Sequence, residues 1–210
     1  PKKTKTLTWH FIAPDVHDFT WAADKEYTQD IVKGPNDVDL HFFYKNNPKT
    51  TENWKQLQPL MVKVMDFYNQ RVGQYPYKQY SFIQGGDGGM EYAMCTLMLG
   101  NGTLEGILGT ATHELGHSWF QHILASNESK HPWMDEGFTT YIEDMALNEL
   151  KGDKKVANPF KGNYAAYYSL VNSGKEQPQT THGDRYDENR PYSISSYVKG
   201  SIFLSQLAYV

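Results

Sequence analysis

The sequence lacks several features that define particular classes of protein. Its 210 residues include one cysteine, Cys95, which excludes an internal disulfide and is interpreted as a small core residue. No apolar run approaches the ~20 residues of a membrane-spanning helix. No signal-peptide pattern is present, but the chain begins at Pro1 and is interpreted as a soluble fragment, so this absence says nothing about the parent protein. Cytoplasm, periplasm and secretion all stay open as its compartment. A net charge of −4, with no basic cluster beyond Lys2, Lys3 and Lys5, argues against nucleic-acid binding.

Composition and residue pattern predict an α+β fold. Hydrophobic residues make up 39% of the chain and aromatic residues 14%, which is enough to build a core. Strand patterns dominate the first part of the chain and helical periodicity the later part. We predict strands over residues 7–12, 19–23, 27–32, 38–44, 80–83 and 90–99, and helices over 51–72, 104–119, 132–150, 164–171 and from 193 onwards. The turn at 34–37 predicts a boundary between domains 1–33 and 34–210.

The segment His113-Glu114-Leu115-Gly116-His117 carries the clearest chemical signal. Histidines at positions i and i+4 of a helix lie one turn apart and about 40° from each other around its axis, so both imidazoles can reach one metal ion. Glu114 lies about 100° round from His113 and can reach a metal-bound water without being a ligand. This is the His-Glu-x-x-His pattern of zinc hydrolases. For the pentapeptide alone, a solvated helix face is the alternative.

A third ligand is predicted downstream, at Glu136. Eighteen residues separate His117 from Glu136, which leaves room for a loop and a second helix that returns Glu136 to the metal. Two histidines and one glutamate leave a fourth zinc position for water, as a catalytic site requires. The sequence therefore predicts one zinc per chain, bound by His113, His117 and Glu136.

These residues and two further segments resemble the zinc aminopeptidases of the aminopeptidase N type, which are gluzincins with a thermolysin-like catalytic domain. The family's metal motif, His-Glu-x-x-His followed after eighteen residues by Glu, matches the residues described above. Its exopeptidase motif, Gly-x-Met-Glu-Asn, matches Gly88-Gly89-Met90-Glu91-Tyr92. The Tyr-x-Lys-Gly segment around its catalytic tyrosine matches Tyr197-Val198-Lys199-Gly200. The landmarks stand in the family's order.

The resemblance also implies a domain organisation. It extends from about residue 35 to the end, so residues 34–210 are expected to be a thermolysin-like catalytic domain, truncated at its C-terminus. Residues 1–33 resemble the tail of the family's N-terminal β-domain. Most of that domain and a C-terminal helical domain would belong to the parent protein. The sequence departs from the family's motifs at three places: Tyr92 and Asp135 each replace the usual Asn, and Gln121-His122 stands where Gly-Asn is common. None of these departures removes a predicted ligand or the predicted base.

By this resemblance, the expected reaction is removal of N-terminal residues from peptides by a zinc-bound water. Zinc lowers the pKa of that water to about 7 and polarises the scissile carbonyl, while Glu114 takes its proton and passes it to the leaving amine. The resemblance implies that Tyr197 donates a hydrogen bond to the tetrahedral oxyanion. It also implies that Gly88, Gly89, Met90 and Glu91 bind the substrate, with Glu91 holding the free α-ammonium.

Two other functions stay open at this stage. A thermolysin-like endopeptidase would use the same metal chemistry without an anchor for the substrate's amine, so Glu91 is the residue that discriminates between the two. A non-catalytic binding relative would typically have lost a ligand or the base, and here all are present.

Glu143 is predicted to support one of the zinc histidines. It follows Glu136 on the same predicted helix, about 20° off its direction. Zinc-bound histidines usually donate their second N–H to a carboxylate or carbonyl. A solvated surface glutamate is the alternative. The remaining histidines show no ligand spacing and are assigned no role: His10, His17, His41, His122, His131 and His182.

Overall fold

Five strands form one mixed sheet in the computed structural model, which describes residues 6–210. The strands are β1 (Tyr27–Lys33), β2 (Asp39–Lys45), β3 (Gln79–Gln84), β4 (Gly89–Tyr92) and β5 (Cys95–Met98). Their order is β1-β2-β3-β5-β4; the central pairs are parallel and the two outer pairs antiparallel. The N-terminal Lys2, Lys3 and Lys5 lie outside the described residues. The α+β class with a small mixed sheet is confirmed.

Six α-helices cover the later part of the described chain: α1 (Thr51–Arg71), α2 (Leu104–His117), α3 (Phe138–Leu150), α4 (Lys161–Asn172), α5 (Asn189–Ser193) and α6 (Gly200–Leu207). Three π-helical segments adjoin them: Ser118–Ile123 continues α2, Trp133–Gly137 leads into α3, and Ile194–Lys199 joins α5 to α6. Single-turn π geometry inside helices is frequent at functional sites. No described helix has both the length and the apolar composition that a membrane span needs.

The core lies between one face of the sheet and helices α1 and α2. Alternate residues of the β2 region are fully buried, as the period-2 pattern predicts: Val38, Leu40, Phe42 and Tyr44. They meet the apolar stripe of α1: Trp54, Leu57, Met61, Val64, Met65 and Tyr68. Burial of each such side chain contributes roughly 1.5–3 kcal/mol. This core supports α2, the helix with the predicted metal motif.

Two of the strands predicted near the N-terminus are wrong. Residues 7–12 and 19–23 have no regular secondary structure, and Leu7, Trp9, Phe11 and Ile12 are 64–81% exposed. Alternation predicts a strand only where a neighbouring strand accepts its backbone hydrogen bonds, and no described strand pairs with these segments. The third predicted strand is β1, which pairs along its length with β2. Strand β1 belongs to the same sheet as β2 to β5, although it lies before the predicted domain boundary. The division into domains 1–33 and 34–210 stays a prediction.

The single strand predicted over 90–99 is two strands. β4 and β5 form an antiparallel hairpin with Gly89 opposite Met98 and Tyr92 opposite Cys95. The turn between them contains Met94 at φ 60°, a left-handed conformation that non-glycine residues seldom adopt. The strand-like run concealed this turn because it contains none of the usual turn residues. As a result, β4 is the last strand of the described sheet, and its outer edge has no strand partner there.

Candidate metal centre and active site

Helix α2 presents the two histidines of the motif from a fixed position. Its first turn is capped by Thr103, whose hydroxyl oxygen accepts a 3.2 Å hydrogen bond from the Gly106 amide. Near its other end, Tyr68 of α1 donates to the carbonyl of Thr112, and Tyr80 of β3 donates to the carbonyl of Glu114. The helix is therefore held by both the core helix and the sheet directly beside the motif.

Three predicted metal ligands converge at the end of α2. The Nε2 atoms of His113 and His117 lie 3.1 Å apart. Oε2 of Glu136 lies 3.1 Å from Nε2 of His113 and 3.3 Å from Nε2 of His117. Ligands bound to zinc at ~2.0–2.1 Å in a tetrahedron are about 3.3–3.4 Å from one another. The three donor atoms are thus spaced nearly as a tetrahedral zinc ion would hold them, and the donor set fits that metal.

Each of the two histidines has a carboxylate hydrogen-bonded to its Nδ1 atom, on the opposite side of the ring from Nε2. Nδ1 of His113 donates to Oε2 of Glu143 at 2.8 Å, and Nδ1 of His117 donates to Oδ1 of Asp135 at 2.5 Å. A proton held on Nδ1 leaves the lone pair of Nε2 free for a metal. Burial alone would lower the pKa of His113, but its hydrogen bonds to Glu136 and Glu143 raise the pKa to about 9. Metal binding must therefore displace protons from the metal-free site.

Close backbone contact between the π-helical segment Trp133–Gly137 and the start of α6 positions Glu136 and Tyr197. A Cβ atom on Gly137 would lie 2.8 Å from the Cα of Gly200, so the segments approach closely only because both positions are glycine. The hydroxyl of Tyr197 donates to Oε1 of Glu136 at 2.6 Å, and its ring stacks on His113 with centroids 5.5 Å apart. Burial and the neighbouring Glu136 raise the pKa of Tyr197, which keeps its hydroxyl protonated.

Glu114 lies beside the three predicted metal ligands and is not one of the three converging donors. It is 6% exposed, and its Oε2 has no hydrogen-bond partner among the described residues. Burial raises the pKa of its carboxyl, while His113 and His117 oppose the shift. Strand β4 passes directly over it: a Cβ on Gly89 would overlap Oε1 of Glu114 and would lie 2.9 Å from Cγ2 of Thr110. The glycine at this position is therefore a requirement of close packing against Glu114.

Glu91 points from β4 towards the same centre. Its Oε1 lies 4.0 Å from Nδ1 of His117, and only 11% of its side chain is exposed. Burial raises the pKa of Glu91 to about 7; the charge of His117 lowers it, and Asp135 and Glu136 raise it further. Met90, its neighbour in the strand, is 36% exposed, in keeping with the alternation of side chains along a strand.

Most of the predicted site residues share one open cleft of about 520 Å³. Its lining includes His113, Glu114, His117, Glu136 and Tyr197 together with Gly89, Met90 and Glu91, and a wall formed by the segment 183–189 and Tyr192. Gly88 is not part of this lining and borders an adjoining hollow, which it shares with Gly89 and Glu143. The fold therefore assembles one site from β4, α2, the π-helical segment before α3 and the segment before α6.

The sequence model of the Peptidase family M1 domain matches residues 59–210. This chain belongs to peptidase family M1. The match begins inside α1 and includes every residue of the predicted site. A mutant of the M1 zinc metallopeptidase from Deinococcus radiodurans bound to a Tyr-Ser-Ala substrate has a similar fold. Its TM-score is 0.61 with 17% sequence identity, covering 86% of this chain and 40% of that one.

Curated relatives of this M1 chain are aminopeptidases by name. Leucine aminopeptidase 2 of Candida albicans is 28% identical over 129 residues, which cover 53% of this chain and 20% of the relative. The mitochondrial aminopeptidase 2 of Saccharomyces cerevisiae is 26% identical over 166 residues, which cover 71% of this chain and 17% of the relative. The chain matches about a fifth or less of the length of these proteins.

Asp135 is the site residue that motif analysis missed. It is 3% exposed and supports His117 as Glu143 supports His113. The sequence did hold a signal, because Asp135 occupies a position where the resemblance expects Asn. The meaning of that change depends on knowing that the side chain faces Nδ1 of His117. An amide at this position would be a neutral acceptor, whereas the carboxylate makes the imidazole a stronger ligand.

We expect Asp135→Asn in the full-length protein to weaken zinc binding about 10–100-fold, since loss of such supporting carboxylates typically has that effect. The substitution keeps the size of the side chain and an oxygen acceptor. Zinc affinity is measured by competition with a chelator of known affinity. Glu149→Gln, at an exposed site on the adjoining helix α3, is the control and should bind zinc like the parent. Equal zinc affinity in Asp135→Asn and the parent would show that the carboxylate charge has no influence on the metal.

Proposed function

We propose that this chain is the catalytic part of a zinc aminopeptidase that removes N-terminal residues from peptides. The observation that carries the proposal is the buried carboxylate of Glu91, held on the edge strand β4 at 4.0 Å from His117. The names of its relatives, leucine aminopeptidase and aminopeptidase, support the same activity. Because the chain matches a small part of those proteins, N- and C-terminal domains of the parent protein would complete the cleft.

One zinc ion per chain would be held by His113, His117 and Glu136. The near-tetrahedral spacing of their donor atoms supports this assignment. Zinc in such a site supplies an acidified water and a Lewis acid for the scissile carbonyl. Glu143 and Asp135 keep the two imidazoles in the tautomer with Nδ1 protonated, which leaves Nε2 as the ligand.

Glu114 is the proposed general base. Its carboxylate takes a proton from the attacking water and later passes it to the leaving amine. The buried, unpartnered Oε2 supports this role, because no described protein donor competes for it. The raised pKa favours proton uptake, since a carboxyl with its ordinary pKa would be a weaker base.

Tyr197 is the proposed donor to the oxyanion of the tetrahedral intermediate. A tyrosine hydroxyl has one proton, and here that proton is donated to Oε1 of Glu136. The oxyanion role therefore requires the hydroxyl to exchange Glu136 for the substrate oxygen. Stacking of its ring on His113 keeps the hydroxyl beside the metal ligands while this exchange occurs. One such donor contributes about 3–4 kcal/mol to transition-state stabilisation.

Strand β4 is the proposed binding surface for the substrate backbone. Its outer edge has no strand partner in the described sheet, so an extended peptide can pair with it. Gly88 and Gly89 precede Met90 and permit a close approach of the substrate main chain. The first peptide carbonyl would then lie over the ligand triangle and the α-ammonium near Glu91. A charge-assisted hydrogen bond to that ammonium contributes roughly 1.5–3 kcal/mol.

An endopeptidase is the competing function. It would use the same ligands and the same base, but its substrates continue past the position of the α-ammonium. A buried carboxylate at Glu91 would then meet a neutral peptide group and stay unpaired, which is costly for a group with 11% of its side chain exposed. The position of Glu91 therefore favours a free amine as the group bound there.

The test compares free and N-acetylated peptides with the full-length protein and its Glu91 variants. We expect the parent to prefer free peptides. Glu91→Ala and the isosteric Glu91→Gln should lower kcat/KM for free peptides about tenfold to a few hundredfold, at ~1.4 kcal/mol per decade. Zinc content should be unchanged in both. Glu105→Gln, an exposed glutamate in the first turn of α2, is the matched control.

Two results would contradict the exopeptidase assignment. One is a parent enzyme that cleaves acetylated and free peptides equally well. The other is a pair of Glu91 variants that keep the full preference for free amines. Either result would favour the endopeptidase, with the metal site unaffected.

A further inference from the structure

Three side chains outside the proposed catalytic site meet beside the β4–β5 turn. They are His17, Asp18 and His122, and one potential ligand atom of each lies within 4.8 Å of the others. His17 and Asp18 come from the segment before β1 that has no regular secondary structure, and His122 comes from the π-helical continuation of α2. No sequence spacing pointed to this cluster because its members come from segments far apart in the chain.

His122 is buried and lacks the partners that a buried imidazole normally has. It is 8% exposed, and neither of its ring nitrogens has a hydrogen-bond partner among the described residues. Buried polar side chains are bonded in the great majority of cases, so an orphaned imidazole needs an explanation. The ring of His17 stacks against it, with centroids 5.1 Å apart and planes 20° apart.

His122 has the neutral state that a metal-binding imidazole needs. Burial lowers its pKa to about 4; the carboxylate of Asp18 opposes this shift, and His17 and His117 add to it. The imidazole is therefore neutral at physiological pH, and an imidazole must be neutral to bind a metal.

Asp18 is fixed in position by the hairpin. Its Oδ1 accepts a 3.1 Å hydrogen bond from the backbone amide of Ala93, in the turn between β4 and β5. The carboxylate thus lies at the turn, beside the imidazoles of His17 and His122. Ligating carboxylates are commonly held by such additional hydrogen bonds.

We propose that His17, Asp18 and His122 form a second metal site, which takes a zinc ion. Two imidazoles and one carboxylate are a ligand set that zinc accepts, while magnesium and calcium prefer oxygen ligands alone. The ion would join the irregular N-terminal segment to the π-helical continuation of α2. This segment otherwise contacts the catalytic domain through bonds such as Asp18 to Ala93 and Tyr77 to the carbonyl of Asp15. None of the three residues belongs to the proposed catalytic site.

The test counts zinc equivalents in the full-length protein, equilibrated with buffered free zinc. His17→Ala should bind one equivalent fewer than the parent; its side chain is exposed, so the fold should tolerate the change. Asp18→Asn keeps an acceptor for Ala93 and should bind the second zinc at least tenfold more weakly. His10→Ala, an exposed histidine of the same segment, is the control and should match the parent. Zinc should also raise the melting temperature of the parent further than that of His17→Ala.

The result is independent of the peptidase assignment. In a Glu136→Ala background, the catalytic zinc is weakened and the His17–His122 site should still bind its equivalent. The proposal is overturned if His17→Ala and Asp18→Asn bind as many zinc equivalents as the parent with the same affinities. It is also overturned if His10→Ala loses zinc as they do, because the binding would then be that of surface histidines in general.

Discussion

Glu114→Gln in the full-length protein should retain zinc and lose turnover by several orders of magnitude. Glutamine has the shape of glutamate and fits under Gly89 in the same space. It cannot accept the proton of the attacking water, and a positioned general base contributes roughly 10²–10⁴-fold to a rate. The predicted metal ligands His113, His117 and Glu136 are unchanged in this variant, so the loss should appear in kcat and not in zinc content.

The decisive measurement is kcat at saturating peptide, together with zinc per chain by elemental analysis. Glu105→Gln has the same chemical change on the same helix at an exposed site and should have the turnover of the parent. An active Glu114→Gln enzyme would remove Glu114 as the base. A variant that lost both zinc and turnover would instead mean that Glu114 supports the metal.

The residues of the metal site could be anticipated because local geometry places most of them. The period of an α-helix alone puts His113 and His117 on one side of α2. The return of Glu136 needed a second helix, whose existence the pattern after Pro132 predicted. Glu143 then follows from the angle between helix positions, and its 2.8 Å bond to His113 agrees with that reasoning. As metal ligands, His113, His117 and Glu136 remain predictions.

Other features depended on contacts that no local pattern contains. The N-terminal alternation around Leu7 and Phe11 resembles a strand, but a strand also needs a partner, and none among the described residues pairs with it. The hairpin turn has Met94 in a left-handed conformation and contains no glycine, so the strand-like pattern gave no sign of it. Asp135 and the cluster around His122 become meaningful only when their distant neighbours are known.

The close approach of Gly137 and Gly200 shows how motif glycines serve the site. Each follows a motif residue, Glu136 in one segment and Tyr197 to Lys199 in the other, and each would collide with the other if it had a Cβ. Their contact brings the hydroxyl of Tyr197 within 2.6 Å of Glu136. The two glycines are thus needed for the short distance between Glu136 and Tyr197.

Removal of the Glu136 side chain should have a large effect on zinc binding. Zinc binding in protein sites with four ligands is worth ~10–16 kcal/mol, or about 2.5–4 kcal/mol for each ligand. Glu136→Ala should therefore weaken zinc binding at the catalytic site about 10²–10³-fold. It should also lower activity at limiting zinc, because the two histidines that remain leave the ion with fewer protein ligands than a catalytic zinc site has.

Glu136→Ala also affects side chains around the metal site. Oε1 of Glu136 accepts a hydrogen bond from the hydroxyl of Tyr197, and Oε2 lies within 3.3 Å of the Nε2 atoms of His113 and His117. The alanine variant therefore removes the contacts of the tyrosine and of both histidines at once. Glu128→Ala is the matched control, because Glu128 lines the same cleft and pairs with Gln121 rather than with a metal ligand. Zinc affinity by chelator competition separates the two variants. A Glu136→Ala protein that binds zinc at this site as tightly as the parent would refute the ligand set, since His113 and His117 would then need a different third partner.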